Sequence, residues 1–165
     1  MSVGATTSAT AQHRSPAGLP SDGATHGPRR ALFRRERVIH FSDCDPAGIV
    51  FYPRYFEMIN SLCENFFRDI GDFPYDRMMA QRQGVPTART EVDFHHPSRL
   101  GELLDFRLEI TRLGTTSVTF AITAWGDDVK RFTCTLTLVW VSPQARPEPW
   151  PAALRTKLAA FMAAS

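Results

Sequence analysis

The spacing of apolar residues along the chain changes period twice, and those changes divide it into elements. Over residues 32–41 the pattern alternates, with Phe33, Ile39 and Phe41 on one side and Leu32, Val38 and His40 on the other. This predicts a partly exposed strand. Over residues 53–70 the period lengthens: Phe56, Ile59, Cys63, Phe66 and Ile70 recur at three- and four-residue steps, and Leu62 and Phe67 widen the stripe. The spacing predicts a long helix at the centre of the fold, ending at Gly71, the residue type favoured just past a helix terminus. Residues 75–82 read as a short second helix that stops before Gly84.

Alternation then returns in four runs, residues 87–95, 102–113, 115–125 and 131–141. Their inward sets are Ala88, Thr90, Val92 and Phe94; Leu104, Phe106, Leu108 and Ile110; Thr116, Val118, Phe120, Ile122 and Ala124; and Phe132, Cys134, Leu136, Leu138 and Trp140. Pro97, Gly114 and the hairpin signal Gly126-Asp127-Asp128 separate them. After Pro151, Leu154, Leu158 and Phe161 share one side of a predicted closing helix. One broad helical stripe can cover one face of a five-stranded antiparallel sheet, so the class predicted is α+β.

Composition narrows the picture. A chain of 165 residues accommodates one domain with a real core. Residues 1–28 are rich in Ser, Thr, Ala, Gly and Pro, and cannot bury enough apolar surface to offset ordering entropy. They are predicted to be a disordered extension, leaving 29–165 as the domain. A net charge of +2 argues against nucleic acid as a partner. No apolar run reaches the ~18–20 residues that cross a bilayer, so no membrane partner is expected. Cys44, Cys63 and Cys134 are odd in number and lack C-x-x-C spacing. They read as reduced thiols of a cytoplasmic protein.

The chemistry concentrates in Phe41-Ser42-Asp43-Cys44-Asp45-Pro46-Ala47-Gly48, an irregular acidic loop that feeds directly into the long helix. Pro46 biases Asp45 toward an extended backbone, and Pro53 sits where a first-turn proline is tolerated. A carboxylate beside the free N–H groups of a helix start suits chemistry at a carbonyl, where negative charge develops. Asp45 can serve as nucleophile or general base, or simply as a turn residue before proline. Asp43 reads as an Asx-turn residue that could also tune Asp45. Asp43, Asp45 and His40 lack metal-ligand spacing, and no metal is expected. Cys44 near His40 lacks a third, orienting group and reads as a packed thiol.

The string Asp43-Cys44-Asp45-Pro46-Ala47-Gly48-Ile49-Val50-Phe51-Tyr52-Pro53-x-Tyr55, with the element order from Phe33 to Val141, resembles the 4-hydroxybenzoyl-CoA thioesterase family of hotdog-fold enzymes. More loosely it resembles the acyl-CoA thioesterases associated with the Tol–Pal system. The resemblance implies a hotdog fold, a five-stranded antiparallel sheet wrapped around the long helix. It implies hydrolysis of an aromatic or medium-sized acyl-CoA, with Asp45 attacking the thioester carbonyl or activating water. The backbone N–H of Tyr52 would bond the carbonyl oxygen, next to Gly48 and Phe51. It also implies a homodimer or homotetramer with active sites where two chains meet, and no cofactor beyond the CoA of the substrate.

Coenzyme A contacts would come from Arg112, Thr115 and Ser117 in the turn between two middle strands. Here Gly114 and Thr115 stand where the family has arginines, so Arg89, Arg99 or Lys130 are alternative phosphate partners, and a protein-bound pantetheine is an alternative acyl carrier. Glu64 is a secondary catalytic candidate, since a helix acid acts in many hotdog thioesterases; Glu64 and its neighbour Asn60 also read as ordinary helix-surface residues. His95 and His96 are candidates for the acyl-pocket wall. Two other readings stand beside the hydrolase: a non-catalytic acyl-CoA or aromatic-ligand binding module, and a hotdog hydratase or dehydratase pairing a histidine with an acid.

Overall fold

The computed structural model describes residues 31–164; the extension expected over 1–28 lies outside the described residues. In chain order the elements are β1 (Phe33–Val38), a single 3-10 turn (Phe41–Asp43), α1 (Tyr52–Asp69), α2 (Tyr75–Ala80), β2 (Thr87–Phe94), β3 (Leu103–Leu113), β4 (Ser117–Gly126), β5 (Val129–Val139) and α3 (Ala152–Ala163). The five strands form one antiparallel sheet in the order β1-β3-β4-β5-β2. The α+β hotdog arrangement is therefore present, with α1 laid against the inner face of the sheet.

Alternation explains which face that is. Leu104, Phe106, Leu108 and Ile110 on β3, Val118, Phe120, Ile122 and Ala124 on β4, and Phe132, Cys134, Leu136 and Leu138 on β5 are all buried. The α1 stripe meets them through rings: Phe66 packs edge-on against Phe120 at 5.2 Å and Phe33 at 5.5 Å, and Tyr55 against Phe132 at 5.3 Å. Phe56, counted in the predicted stripe, lies at its rim and is 36% exposed. Burying a large apolar side chain contributes ~1.5–3 kcal/mol, so this seam carries much of the fold's stability.

Three expectations change. The first strand ends at Val38, and Phe41, placed by alternation on one side with Phe33 and Ile39, is 83% exposed whereas those two are buried. The cause is the 3-10 turn, whose capping box uses the Asp43 carboxylate to hold the His40 N–H at 2.9 Å. On β2 the register sets Thr90, Val92 and Phe94 opposite the inward Leu136, Cys134 and Phe132, but Ala88 falls at a register shift. The strand is at the sheet edge and largely exposed. On β5 alternation breaks at Arg131, which is buried beside Phe132. Trp125 pairs with Lys130 while Ala124 pairs with Phe132, so Arg131 is the extra residue of a bulge. Gly126 leaves room there: a Cβ would lie 2.9 Å from Leu104 Cδ2 and 3.0 Å from two Arg131 nitrogens, so a larger residue would push on both side chains.

The topology gives the sheet two distinct ends. Val38, Leu103, Gly126, Val129 and Phe94 mark one; Phe33, Leu113, Ser117, Val139 and Thr87 mark the other. Along β3 these ends are ~33 Å apart at ~3.3 Å per residue.

Candidate active site

Two loops meet at the Val38 end. The loop from Asp43 into α1 folds on itself, with a bridge between Cys44 and Val50, and the Asp45 N–H donating to Ile49 O at 2.9 Å. The loop after β2 clasps it: Ile49 bridges Arg99, and the Val50 N–H donates to Ser98 O at 2.9 Å. The buried Ser98 hydroxyl accepts from Tyr55 of α1 at 2.8 Å. Burial raises the Tyr55 hydroxyl above its ordinary value, against the opposing pull of that hydrogen bond, so the phenol remains a donor at neutral pH. Arg131 secures the outer side of the clasp, donating to Pro97 O at 2.8 Å and Gly126 O at 3.2 Å, and facing Glu102 as an ion pair at 3.1 Å that is poorly aligned for hydrogen bonding.

The two aspartates of the loop have opposite surroundings. Asp43 is 3% exposed, and its carboxylate is held by Arg37 at 3.0 Å and by the His40 N–H. It is an internal strut, with its side chain turned back to residue 40. Asp45 is half-buried; one carboxylate oxygen accepts the Ala47 N–H at 2.8 Å, an Asx turn, and the other accepts nothing among the described residues. Gly48 completes the loop at φ +76°, a conformation that costs other residues more.

At the start of α1 the free donors reduce to one. The Phe51 N–H donates to Asp43 O at 2.9 Å, Pro53 has none, and the Arg54 N–H reaches Phe51 O at 2.8 Å. Among the described residues, the Tyr52 N–H has no partner. Phe51, with Asp45, Cys44, Pro46 and Arg54, lines an open depression of about 300 Å³. Tyr52, with Ile49, Tyr55, Phe94, His95 and His96, lines a second of about 340 Å³. The unpartnered donor and the half-free carboxylate thus flank one short loop. A free backbone donor and a free carboxylate oxygen have the chemistry to receive a polarised carbonyl and to deliver a carboxylate or an activated water to it.

The other expected residues divide by position. His95 and His96 border the Tyr52 depression, and one nitrogen of each ring is engaged: His95 Nε2 with the Thr133 hydroxyl at 2.8 Å, His96 Nδ1 with Lys130 O at 3.1 Å. Glu64 is exposed on α1, ~18 Å along the helix from Tyr52 at ~1.5 Å per residue, and borders neither depression. Arg112, Thr115 and Ser117 lie at the far end of the sheet. There Trp150 donates to Thr115 O at 3.1 Å, and Arg155 to Gly114 O at 2.9 Å. One chain therefore does not bring that turn to Asp45. Sequence reading missed Ser98, Glu102 and Arg131, the group that holds the two loops together. The only trace of it was an arginine next to an inward phenylalanine.

A model of the thioesterase superfamily matches residues 47–133, more than half of the chain, beginning two residues past Asp45. Among curated proteins, the chain is 27% identical over 89 residues to the acyl-CoA thioester hydrolase YbgC of Escherichia coli, covering 54% of this chain and 66% of that one. It is 36% identical over 67 residues to a 4-hydroxybenzoyl-CoA thioesterase of Pseudomonas sp. strain CBS-3, covering 39% and 47%. The chain thus spans less than two thirds of these relatives' length. Among solved structures, a gentisyl-coenzyme A thioesterase superposes with a TM-score of 0.67 at 23% identity, over 75% of this chain and 98% of that one. A 1,4-dihydroxy-2-naphthoyl-CoA thioesterase from Synechocystis gives 0.72 at 18% identity, over 78% and 96%. Those two likenesses concern the fold; the family match across residues 47–133 places the chain in the thioesterase superfamily.

Proposed function

We propose that the chain hydrolyses an acyl-CoA thioester, with Asp45 as nucleophile or general base and the Tyr52 N–H receiving the carbonyl oxygen. The observation that carries this reading is the unpartnered Tyr52 N–H at the start of a rigidly packed helix, on the same short loop as the Asp45 oxygen left free. A thioester is reactive enough for a carboxylate to attack, and water then cleaves the resulting anhydride. An aromatic acyl group fits the rings around the second depression, where Tyr55 and Phe94 lie 5.5 Å apart. Relatives and a structural neighbour named for the aromatic substrates 1,4-dihydroxy-2-naphthoyl-CoA, 4-hydroxybenzoyl-CoA and gentisyl-coenzyme A support the same choice.

Hydrolysis is favoured over hydration or dehydration because a carboxylate oxygen and a backbone donor left free on one short loop are the pair that attack on a thioester carbonyl uses. The reading includes a homo-oligomer with sites at the chain interface, supported by depressions that one chain leaves open and by the exposed edge strand β2. It also places the protein in the cytoplasm, consistent with the free thiols of Cys44, Cys63 and Cys134. No helix among the described residues is long and apolar enough to cross a membrane.

Replacing Asp45 by Asn keeps the turn geometry and removes the carboxylate. Thiol release from a panel of aromatic and aliphatic acyl-CoAs should fall by about 10³-fold or more in Asp45→Asn, while thermal unfolding stays near that of the natural chain. Turnover within tenfold of the natural chain would remove Asp45 from the mechanism. Binding without any thiol release by the natural chain would instead make it a binding module.

A further inference from the structure

We propose that Arg99 is the residue that grips the phosphates of coenzyme A on the chain that carries Asp45; the proposal rests on the acyl-CoA reading above. The turn containing Arg112 lies at the far end of this chain's sheet, so phosphate recognition from the chain that carries Asp45 needs another cation. Most cations at this end are committed. Arg37 is bonded to Asp43 at 3.0 Å and Arg54 to Glu57 at 2.8 Å. Arg131 is enclosed by Glu102, Pro97 and Gly126, and Lys130 lies 5.1 Å over the Trp125 ring. Arg89 sits toward the opposite end of β2 and is paired with Glu91 at 2.9 Å. Arg99 is exposed, and its guanidinium has no partner among the described residues.

Its backbone is nevertheless fixed. Arg99 bridges Ile49, its carbonyl accepts the Glu102 N–H at 3.2 Å, and Ser98 before it is fully buried and holds Val50. Residues opposite each other in an antiparallel bridge present side chains on one face, so Arg99 shares the face of Ile49. Ile49 borders the depression that holds Tyr52. Bridge partners lie ~5 Å apart, and three residues of extended chain from Ile49 to Tyr52 add at most ~11 Å. That keeps the backbone carrying a five-donor fork, matched to paired phosphate oxygens, within about 16 Å of the Tyr52 backbone, a span an extended pantetheine arm bridges. The free guanidinium and its anchored backbone together select for a phosphorylated carrier over bare pantetheine.

Calorimetric titration of the full chain with coenzyme A and with pantetheine, which lacks the phosphates, tests this. The natural chain should bind coenzyme A more tightly, Arg99→Gln should weaken that binding about tenfold, and pantetheine binding should not change. Arg99→Lys should recover part of the loss, because the charge remains and the fork does not. The proposal is overturned by unchanged coenzyme A affinity in Arg99→Gln, by an equal loss for pantetheine, or by a loss in Arg112→Gln instead. A chain that binds coenzyme A through Arg99 yet releases no thiol overturns the hydrolase reading alone. One that hydrolyses acyl-CoA with no Arg99 effect overturns only this assignment.

Discussion

The two ends of the sheet are built from different materials. At the Leu113–Ser117 end, aromatic rings fill the space: Trp140 and Trp150 lie 5.6 Å apart, Phe73 packs against Trp140 at 5.6 Å, and α3 sends Phe161 to within 5.1 Å of Phe66. Trp140 is fully buried and Trp150 nearly so. At the Val38 end the loops above the core are held by backbone hydrogen bonds, and five apolar side chains there stay outside: Phe41, Phe51, Tyr52, Leu100 and Leu103 are all 48% exposed or more. One end gains stability by excluding water. The other fixes a loop through Asp43, Ser98 and Arg131 while leaving a donor and a carboxylate oxygen unused. A fold that closed both ends with rings would be more stable and would have nowhere to put a substrate.

The largest effect on this contrast should come from the filled side. Phe66→Ala empties a site that touches Phe33, Phe67, Phe120 and Phe161, and should lower unfolding free energy by ~3–5 kcal/mol in denaturant titration. Turnover per folded molecule should stay within a few-fold; a loss comparable to that of Asp45→Asn would mean that the two ends are not separable. Next comes the strut. Asp43→Ala leaves the Arg37 guanidinium and the His40 N–H without their acceptor, and should cost ~1–3 kcal/mol. It should also lower turnover, because the carboxylate fixes the main chain of residue 43, whose carbonyl accepts the Phe51 N–H just before the helix. Unaltered turnover would show that the loop keeps its shape without the strut.

The smallest effect should appear with pH. Burial raises the thiols of Cys63 and Cys134 and the hydroxyl of Tyr75 above their ordinary values. Unfolded thiols ionise near pH ~8.5 while the folded ones stay protonated, so the unfolded state loses protons first. Stability should therefore decline as pH rises above about 8.5. A flat profile of unfolding free energy between about pH 8 and 10 would contradict the burial of these groups.

Much of this architecture was legible in the sequence because burial on one face writes a period. The inward sets of β3 and β5, and that of β4 from Val118 onward, were readable for that reason, as was the α1 stripe. The loop motif and the helix start beside it were readable from proline, glycine and acid positions. What stayed hidden has local causes. Phe41 continues the alternation of β1 in sequence, but the Asp43 cap turns the chain out of the sheet before it. Arg131 is inward because a bulge inserts a residue, and a bulge leaves no mark in a polar–apolar pattern. The position of residues 112–117 relative to Asp45 depends on strand order, which only the folded sheet displays.

The lone donor at the head of α1 belongs to the main chain, so every side-chain replacement at position 52 leaves it in place. An alanine scan would pass over this position and return a false negative. Proline subtracts the one hydrogen concerned. Phe51 already has the extended backbone (φ −66°, ψ 119°) that a following proline demands, and the first helical position accepts proline. Tyr52→Pro should fold like Tyr52→Ala yet turn over about 10²–10³ times more slowly, read from thiol release by the two variants side by side. Equal rates would move the oxyanion contact elsewhere.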